Sequence, residues 1–245
     1  MWHDIAEAAP LFARGLGVTV LYTVLGALAA FVVSLVLGLL ALSPSVLVRG
    51  ATRTVVEFFR GTSLVIQLFW IYFALPLVGF RLEPIAAATV ALALNFGAYG
   101  SEIVRGAITA VPKAQWEATV ALGLGPVRRM RRVIFPQALP EMIPPFGNLL
   151  VQILKGSSLL FLLGITELTF EVQELRVQIG SLPAFGIALV VYFLVAQVLA
   201  WLMRRWEDHA AARVGRRAVQ APPTPDPPSP RAQVGSGASR AEAAR

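Results

Sequence analysis

The chain contains no cysteine among its 245 residues. That excludes disulfides, thiol nucleophiles and thiolate metal sites. Histidine is nearly missing as well: His3 and His209 are the only two, and both lie outside the apolar stretches. No Gly-x-x-x-x-Gly-Lys-Ser/Thr occurs, so the chain carries no P-loop for ATP. No His-Glu-x-x-His and no nucleophile elbow occur either, which leaves no visible machinery for catalysis. Charge is scarce. Charged residues make up 14% of the chain and hydrophobic residues 56%, against about 25% charged in soluble domains. This composition points to an all-α protein that crosses a membrane several times. The net charge of +7 does not call for nucleic acid, because the basic residues sit between apolar runs. The opening "MWHDIAEAAP" has no basic n-region before a short apolar core, so no signal peptide is expected.

Five stretches are apolar and long enough for a hydrocarbon core of about 30 Å. They fall near 16–42, 63–80, 84–104, 146–166 and 183–203. The first has no charge from Val18 to Leu42. The third carries Asn95 among the small residues Gly97, Ala98 and Gly100, which let helices approach closely in lipid. The fourth contains Asn148, Gln152 and Lys155. A central lysine costs about 2.5–3.5 kcal/mol on insertion, and each Leu, Ile, Val or Phe returns about 0.3–0.6 kcal/mol. The stretch can therefore insert, with neighbouring helices or water meeting its polar groups. Together with Gln67, these four are the candidates for a substrate path, since polar groups at membrane depth are functional candidates by default.

Lysine and arginine set the orientation. With the N-terminus outside, the external pieces hold only Arg14, Arg81 and Arg176 as basic residues, beside Asp4, Glu7, Glu83, Glu167, Glu171 and Glu174. The internal pieces hold Arg49, Arg53, Arg60, Arg105, Lys113, the cluster Arg128, Arg129, Arg131 and Arg132, and then Arg204 and Arg205. The positive-inside rule selects this arrangement, with the C-terminus inside. The expected organisation is an extracytoplasmic segment at 1–15, a membrane domain at 16–210 and a cytoplasmic tail at 211–245. The tail is rich in Pro, Ala, Ser and Arg and is expected to be disordered.

The internal loop contains "EATVALGLGPVRRMRRVIFPQALP" from Glu117 to Pro140. Gly123 to Pro126 stops one short helix, and a second is expected to be cut near Pro136. Glu117-Ala118, Gly123 and Phe135-Pro136 resemble the EAA loop of binding-protein-dependent ABC importer permeases. That pattern is Glu-Ala-Ala, three residues, Gly, nine residues, Ile, one residue, Leu-Pro. Here Thr119, Val133 and Phe135 replace the second Ala, the Ile and the Leu. "VVEFFRGTSLVIQLFWIYFALP", "NFGAYGSEIVRGAITAVPKAQWEA" and "PQALPEMIPPFGNLLVQILKGSSLL" resemble the polar amino acid subfamily, over about residues 11–203.

The resemblance implies a MetI-like permease fold of five transmembrane helices with a coupling loop at about 112–140. It implies that Glu117, Ala118, Gly123 and Pro136 meet a separate ATPase subunit. That partner binds ATP and Mg, so this subunit needs no cofactor. Further implied partners are a second permease subunit, alike or different, an extracytoplasmic solute-binding protein and the lipid bilayer, but no nucleic acid. The implied substrates are polar amino acids or close analogues, and "FWIYFALPLVGFRLEPIAAATVALALNFGAYGSEIVRGAITAVP" and "MIPPFGNLLVQILKGSSLL", with "ELTF" after it, resemble one of the two paired permeases of ectoine/hydroxyectoine importers. A secondary transporter and a membrane scaffold are the other classes considered. The first typically shows internal repeats, and none is visible.

Overall fold

The computed structural model describes the backbone of residues 2–213 and the side chains of residues 10–208, and nine α-helices follow one another among these residues. The tail expected to be disordered lies outside the described residues from 214 onward. No strand occurs among the described residues. α1 (Trp2–Leu40) is a single helix that runs through the segment read as separate at 1–15. α2 (Val46–Gly61) is short and two-faced. α3 (Leu64–Phe69) continues as a π turn at Trp70–Ala74 and a 3-10 turn at Leu75–Val78. α4 (Pro84–Ala110) leads after two residues into α5 (Lys113–Ala121). α6 (Pro126–Arg129), a π turn at Met130–Ile134, α7 (Phe135–Ser157) and a 3-10 turn at Ser158–Leu163 follow without interruption. α8 (Leu168–Ile179) and α9 (Ser181–Arg213) complete the order.

Among the described residues, four spans are long and apolar enough to cross a membrane: Pro10–Leu40, Pro84–Ala110, Pro126–Leu163 and Ser181–Asp208. The second expected span, 63–80, differs. Leu64–Val78 passes only as a bent pair with Val46–Gly61, at 103°. Alone it would be about 22 Å long at 1.5 Å per residue. The backbone is extended at Thr62 and Ser63, and this breaks the helix.

The fourth span also differs from expectation, because its helix starts at Pro126 rather than 146 and is not cut at Pro136. The π turn is the physical reason. A proline in a helix lacks a donor and crowds the carbonyl four residues back. Here the ladder widens just before it, and Phe135 N–H reaches the Met130 carbonyl instead. A π bulge of this kind absorbs the proline without ending the helix.

The core is built on α1 against α4. A Cβ on Gly97 would lie 2.5 Å from Val33 Cγ1, and one on Gly38 2.6 Å from Val104 Cβ. Larger residues would force the two helices apart. Ser34 Oγ donates to Ala30 O at 2.6 Å and across the seam to Gly97 O at 3.2 Å. Close packing and a buried hydrogen bond therefore replace the hydrophobic drive that lipid does not provide. Leu68, Ala88, Leu92, Ile153 and Leu160 fill one cluster, and Val104, Ile108, Ile134, Ala138 and Met142 a second. α9 instead exposes Leu189, Phe193, Leu194 and Val198.

Candidate functional site

α5 ends in a tight hydrogen-bonded turn. Leu122 N–H donates to Ala118 O at 3.0 Å, Gly123 N–H to Val120 O at 2.9 Å and Leu124 N–H to Thr119 O at 3.0 Å. This is the Schellman pattern, with the left-handed residue one past the helix cap. Gly123 has φ +67°, the region where glycine alone is unstrained. Pro126 then opens α6 at a position that needs no N–H. Arg129 Nη2 donates to Leu124 O at 3.2 Å and steadies the turn.

The turn is anchored on one side and open on the other. Trp116 packs against the second core cluster. Thr119 is buried, and its hydroxyl donates to Trp116 O at 2.7 Å. That explains how a threonine fits where the motif has alanine. Gln137 Nε2 donates to Gln115 Oε1 at 3.3 Å and ties α5 to α7. Glu117, Ala118 and Gly123 all lie exposed on α5 and its turn. Val120, Leu122 and Val127 beside them are 58%, 76% and 79% exposed. An open groove of about 550 Å³ runs along Gly123, Pro126, Val127, Arg128 and Arg131. The fourth motif residue, Pro136, is exposed but lies past the π turn, within the long rod.

The five path candidates separate into two groups. Gln67 and Asn95 are buried and share one acceptor. Gln67 Nε2 donates to Phe59 O at 3.0 Å and to Thr62 Oγ1 at 2.7 Å, and Asn95 Nδ2 donates to Phe59 O at 3.3 Å. Phe59 lies at the end of α2, where the break removes the carbonyl's helical donor. Both amides thus clasp the bend to α3 and α4. Gln67 Oε1 is buried without a partner. Asn148, Gln152 and Lys155 form the other group. Their spacing of four and three puts them on one face of α7, exposed, while Leu149, Ile153 and Leu154 are buried opposite.

A third polar centre escaped the sequence reading. Glu167 counted there only as an external charge, yet it is fully buried. It caps α8 by accepting from Phe170 N–H at 3.1 Å. Tyr192 Oη of α9 donates to it at 2.9 Å, and Thr19 Oγ1 of α1 lies 3.3 Å away. Thr19 Oγ1 also accepts from Leu168 N–H at 3.0 Å. One carboxylate therefore joins three helices. Burial pushes its pKa up, against the lowering effect of hydrogen bonds from Thr169, Tyr192 and Phe170. The available signal was an acidic residue directly before a helical pattern, "ELTFEVQEL". No cluster of three or more His, Asp or Glu suited to a metal occurs among the described residues.

Known proteins share this architecture and sequence. The probable amino-acid ABC transporter permease protein y4tF of Sinorhizobium fredii is 42% identical over 222 residues, covering 85% of this chain and 92% of that protein. The glutamine transport system permease protein GlnP of Escherichia coli is 35% identical over 209 residues, covering 84% and 95%. A crystal structure of an amino acid ABC transporter with histidines aligns with TM-score 0.78 at 29% identity, over 85% of this chain and 98% of that one. The MetNI methionine ABC transporter, in an inward-facing form, aligns with TM-score 0.71 at 22% identity over 82% and 96%, a likeness of fold. Residues 30–211 match the family described as binding-protein-dependent transport system inner membrane component, and the chain belongs to that family of ABC transporter permeases.

Proposed function

We propose that this chain is the membrane subunit of an ATP-driven importer for polar amino acids or close analogues, joined to its ATPase at the α5–α6 turn. The exposed turn at Gly123 carries the reading. It offers Glu117 and three apolar side chains outward, while Trp116 and Thr119 hold it to the core. Two residues separate α5 from α4, and α6 runs unbroken into α7. A push on the turn therefore moves two membrane helices together. From Pro126 to Lys155 the rod measures about 44 Å at 1.5 Å per residue. Motion at the joint thus reaches the polar face of Asn148, Gln152 and Lys155.

That face points away from the chain's own core, as a path shared with a second permease subunit requires. A lysine there suits the carboxylate that amino acids and ectoine have in common. Gln67 and Asn95 support the bend beside it. The asymmetry of arginine and lysine favours a cytoplasmic joint and an outer position for α8, where a solute-binding protein delivers substrate. ATP and Mg belong to the ATPase, so the permease contributes coupling and passage alone.

Relatives of the chain are named for the transport of glutamine and of cystine. The resemblance of "MIPPFGNLLVQILKGSSLL", with "ELTF" after it, favours ectoine as the narrower substrate. Uptake of labelled glutamine, arginine and ectoine, with and without this subunit, tests both levels. Loss of ectoine uptake alone, competed by hydroxyectoine, supports the narrower reading. Loss of an amino acid's uptake alone supports only the broader one, and loss of none rejects both. Ala118→Cys, in a chain without other thiols, is expected to crosslink to a cysteine in the ATPase cleft. Absence of crosslinks to every cleft position would reject the joint.

A further inference from the structure

α2 is not accounted for by coupling or by passage. Helical spacing sorts α2 into two opposed faces. Leu47, Ala51, Val55 and Phe58 form one stripe, and all four are exposed. Leu47 is 85% and Phe58 60% exposed. Arg49, Arg53 and Arg60 form the opposite stripe. They line a cleft of about 550 Å³ with Glu57, Glu102 and Arg105. The charges there are served within the protein. Arg53 Nε donates to Glu57 at 2.8 Å and Arg105 Nη2 to Glu102 at 2.8 Å. Arg49 donates to the Ser43 and Pro44 carbonyls, and the Arg60 guanidinium lies over the Tyr99 ring.

The apolar stripe has no cover among the described residues, but it has a continuation. Phe58 of α2 and Ile66 and Trp70 beyond the bend line one apolar cavity of about 250 Å³. Phe58, at the end of the stripe, thus faces the angle of the 103° bend. If the segment after the bend rises along the membrane normal, α2 lies nearly parallel to the surface. Its apolar stripe then faces acyl chains, and its arginines face water. The opposite placement would put three guanidinium groups toward hydrocarbon, at about 2.5–3.5 kcal/mol each near the centre. We infer that α2 is an interfacial helix seated against the cytoplasmic leaflet, and that a lipid acyl chain occupies the elbow between α2 and α3. Amphipathic helices of this kind sink about 5–10 Å into the boundary between headgroups and chains. The choice of leaflet rests on the orientation proposed above. The contact with lipid does not.

The test uses the assembled complex in nanodiscs, with the thiols of its partner subunits replaced. Single cysteines at Leu47, Phe58 and Arg53 carry a bimane probe. Quenching is read with acyl-chain nitroxide lipid and with aqueous iodide. Probes at 47 and 58 are expected to lose fluorescence to the lipid and to resist iodide, with the reverse at 53. Iodide quenching at 47 and 58 would overturn the inference, because the stripe would then face water. Resistance to both quenchers would also overturn it, because a protein subunit would then cover the stripe. Trp70→Phe gives a second readout without a probe: tryptophan quenching by brominated lipid is expected to fall. Unchanged quenching would remove the lipid from the elbow. A nanodisc exposes both leaflets, so a wrong orientation or substrate would leave these results intact.

Discussion

Two turns of this protein carry nearly the same local signals and do opposite things. Each has a left-handed glycine, Gly123 at φ +67° and Gly164 at φ +74°. Each has a glutamate close by. At the first turn Glu117 is exposed, with apolar side chains bare around it. At the second, Glu167 is fully buried and accepts hydrogen bonds from α8 and α9. The difference lies in what packs against each turn. Thr19 of α1 and Tyr192 of α9 close over Glu167. Around Gly123 the side chains of Val120, Leu122 and Val127 stay exposed, and none of the described residues closes over them. One turn is a knot within the subunit, and the other is left open.

The largest effect on stability is expected at the knot. Glu167→Ala leaves Phe170 N–H without its acceptor, at about 1–3 kcal/mol for a buried group left unsatisfied, and leaves Tyr192 Oη with Thr169 Oγ1 at 2.9 Å. The melting temperature of the detergent-solubilised complex should fall clearly, and an unchanged value would show that the knot does not hold the helices. Next come the glycines. Gly123→Ala and Gly164→Ala each force a Cβ into the left-handed region, at about 1–2 kcal/mol. Neither added Cβ meets a neighbour, so the two losses in melting should match. Transport should separate them. ATP-driven uptake is expected to fall more for Gly123→Ala, and equal falls would break the contrast drawn between the turns.

A pH series sharpens the comparison further. Burial raises the Glu167 pKa in the folded chain. Between the usual glutamate value and that raised value, the folded chain holds a proton that the unfolded chain has released. Stability should therefore decline as pH rises across this window. Glu167→Gln should flatten the decline, and melting at a series of pH values reads it directly. The smallest effect on stability is expected for Leu122→Ser, an exposed change within about 0.5 kcal/mol. Its ATP-driven uptake should nonetheless drop. Full uptake would mean that the bare apolar surface is not the contact.

Much of this was legible in the residues. The charge-free run of α1 and the small residues of α4 announced membrane helices, and Gly123 with Pro126 announced the turn between α5 and α6. The illegible parts share a cause. Pro136 reads as a break because a proline forbids an ordinary α turn, and a π turn five residues long is a solution that local rules do not rank. The segment at 63–80 reads as a plain span because hydropathy registers apolarity but not direction. Its 103° bend depends on Gln67 and Asn95 reaching the Phe59 carbonyl from two other elements.

The sequence by itself determined that this is an all-helical membrane protein and where its apolar runs fall. Those are properties of composition and short-range spacing, which survive in an extended chain. Only the tertiary structure decided which polar groups turn inward. Gln67, Asn95 and Glu167 were drawn into the core, whereas Asn148, Gln152 and Lys155 were left on a bare face of α7. A buried polar group is tolerable only where another helix brings it a partner, and no stretch of sequence records which helix will arrive.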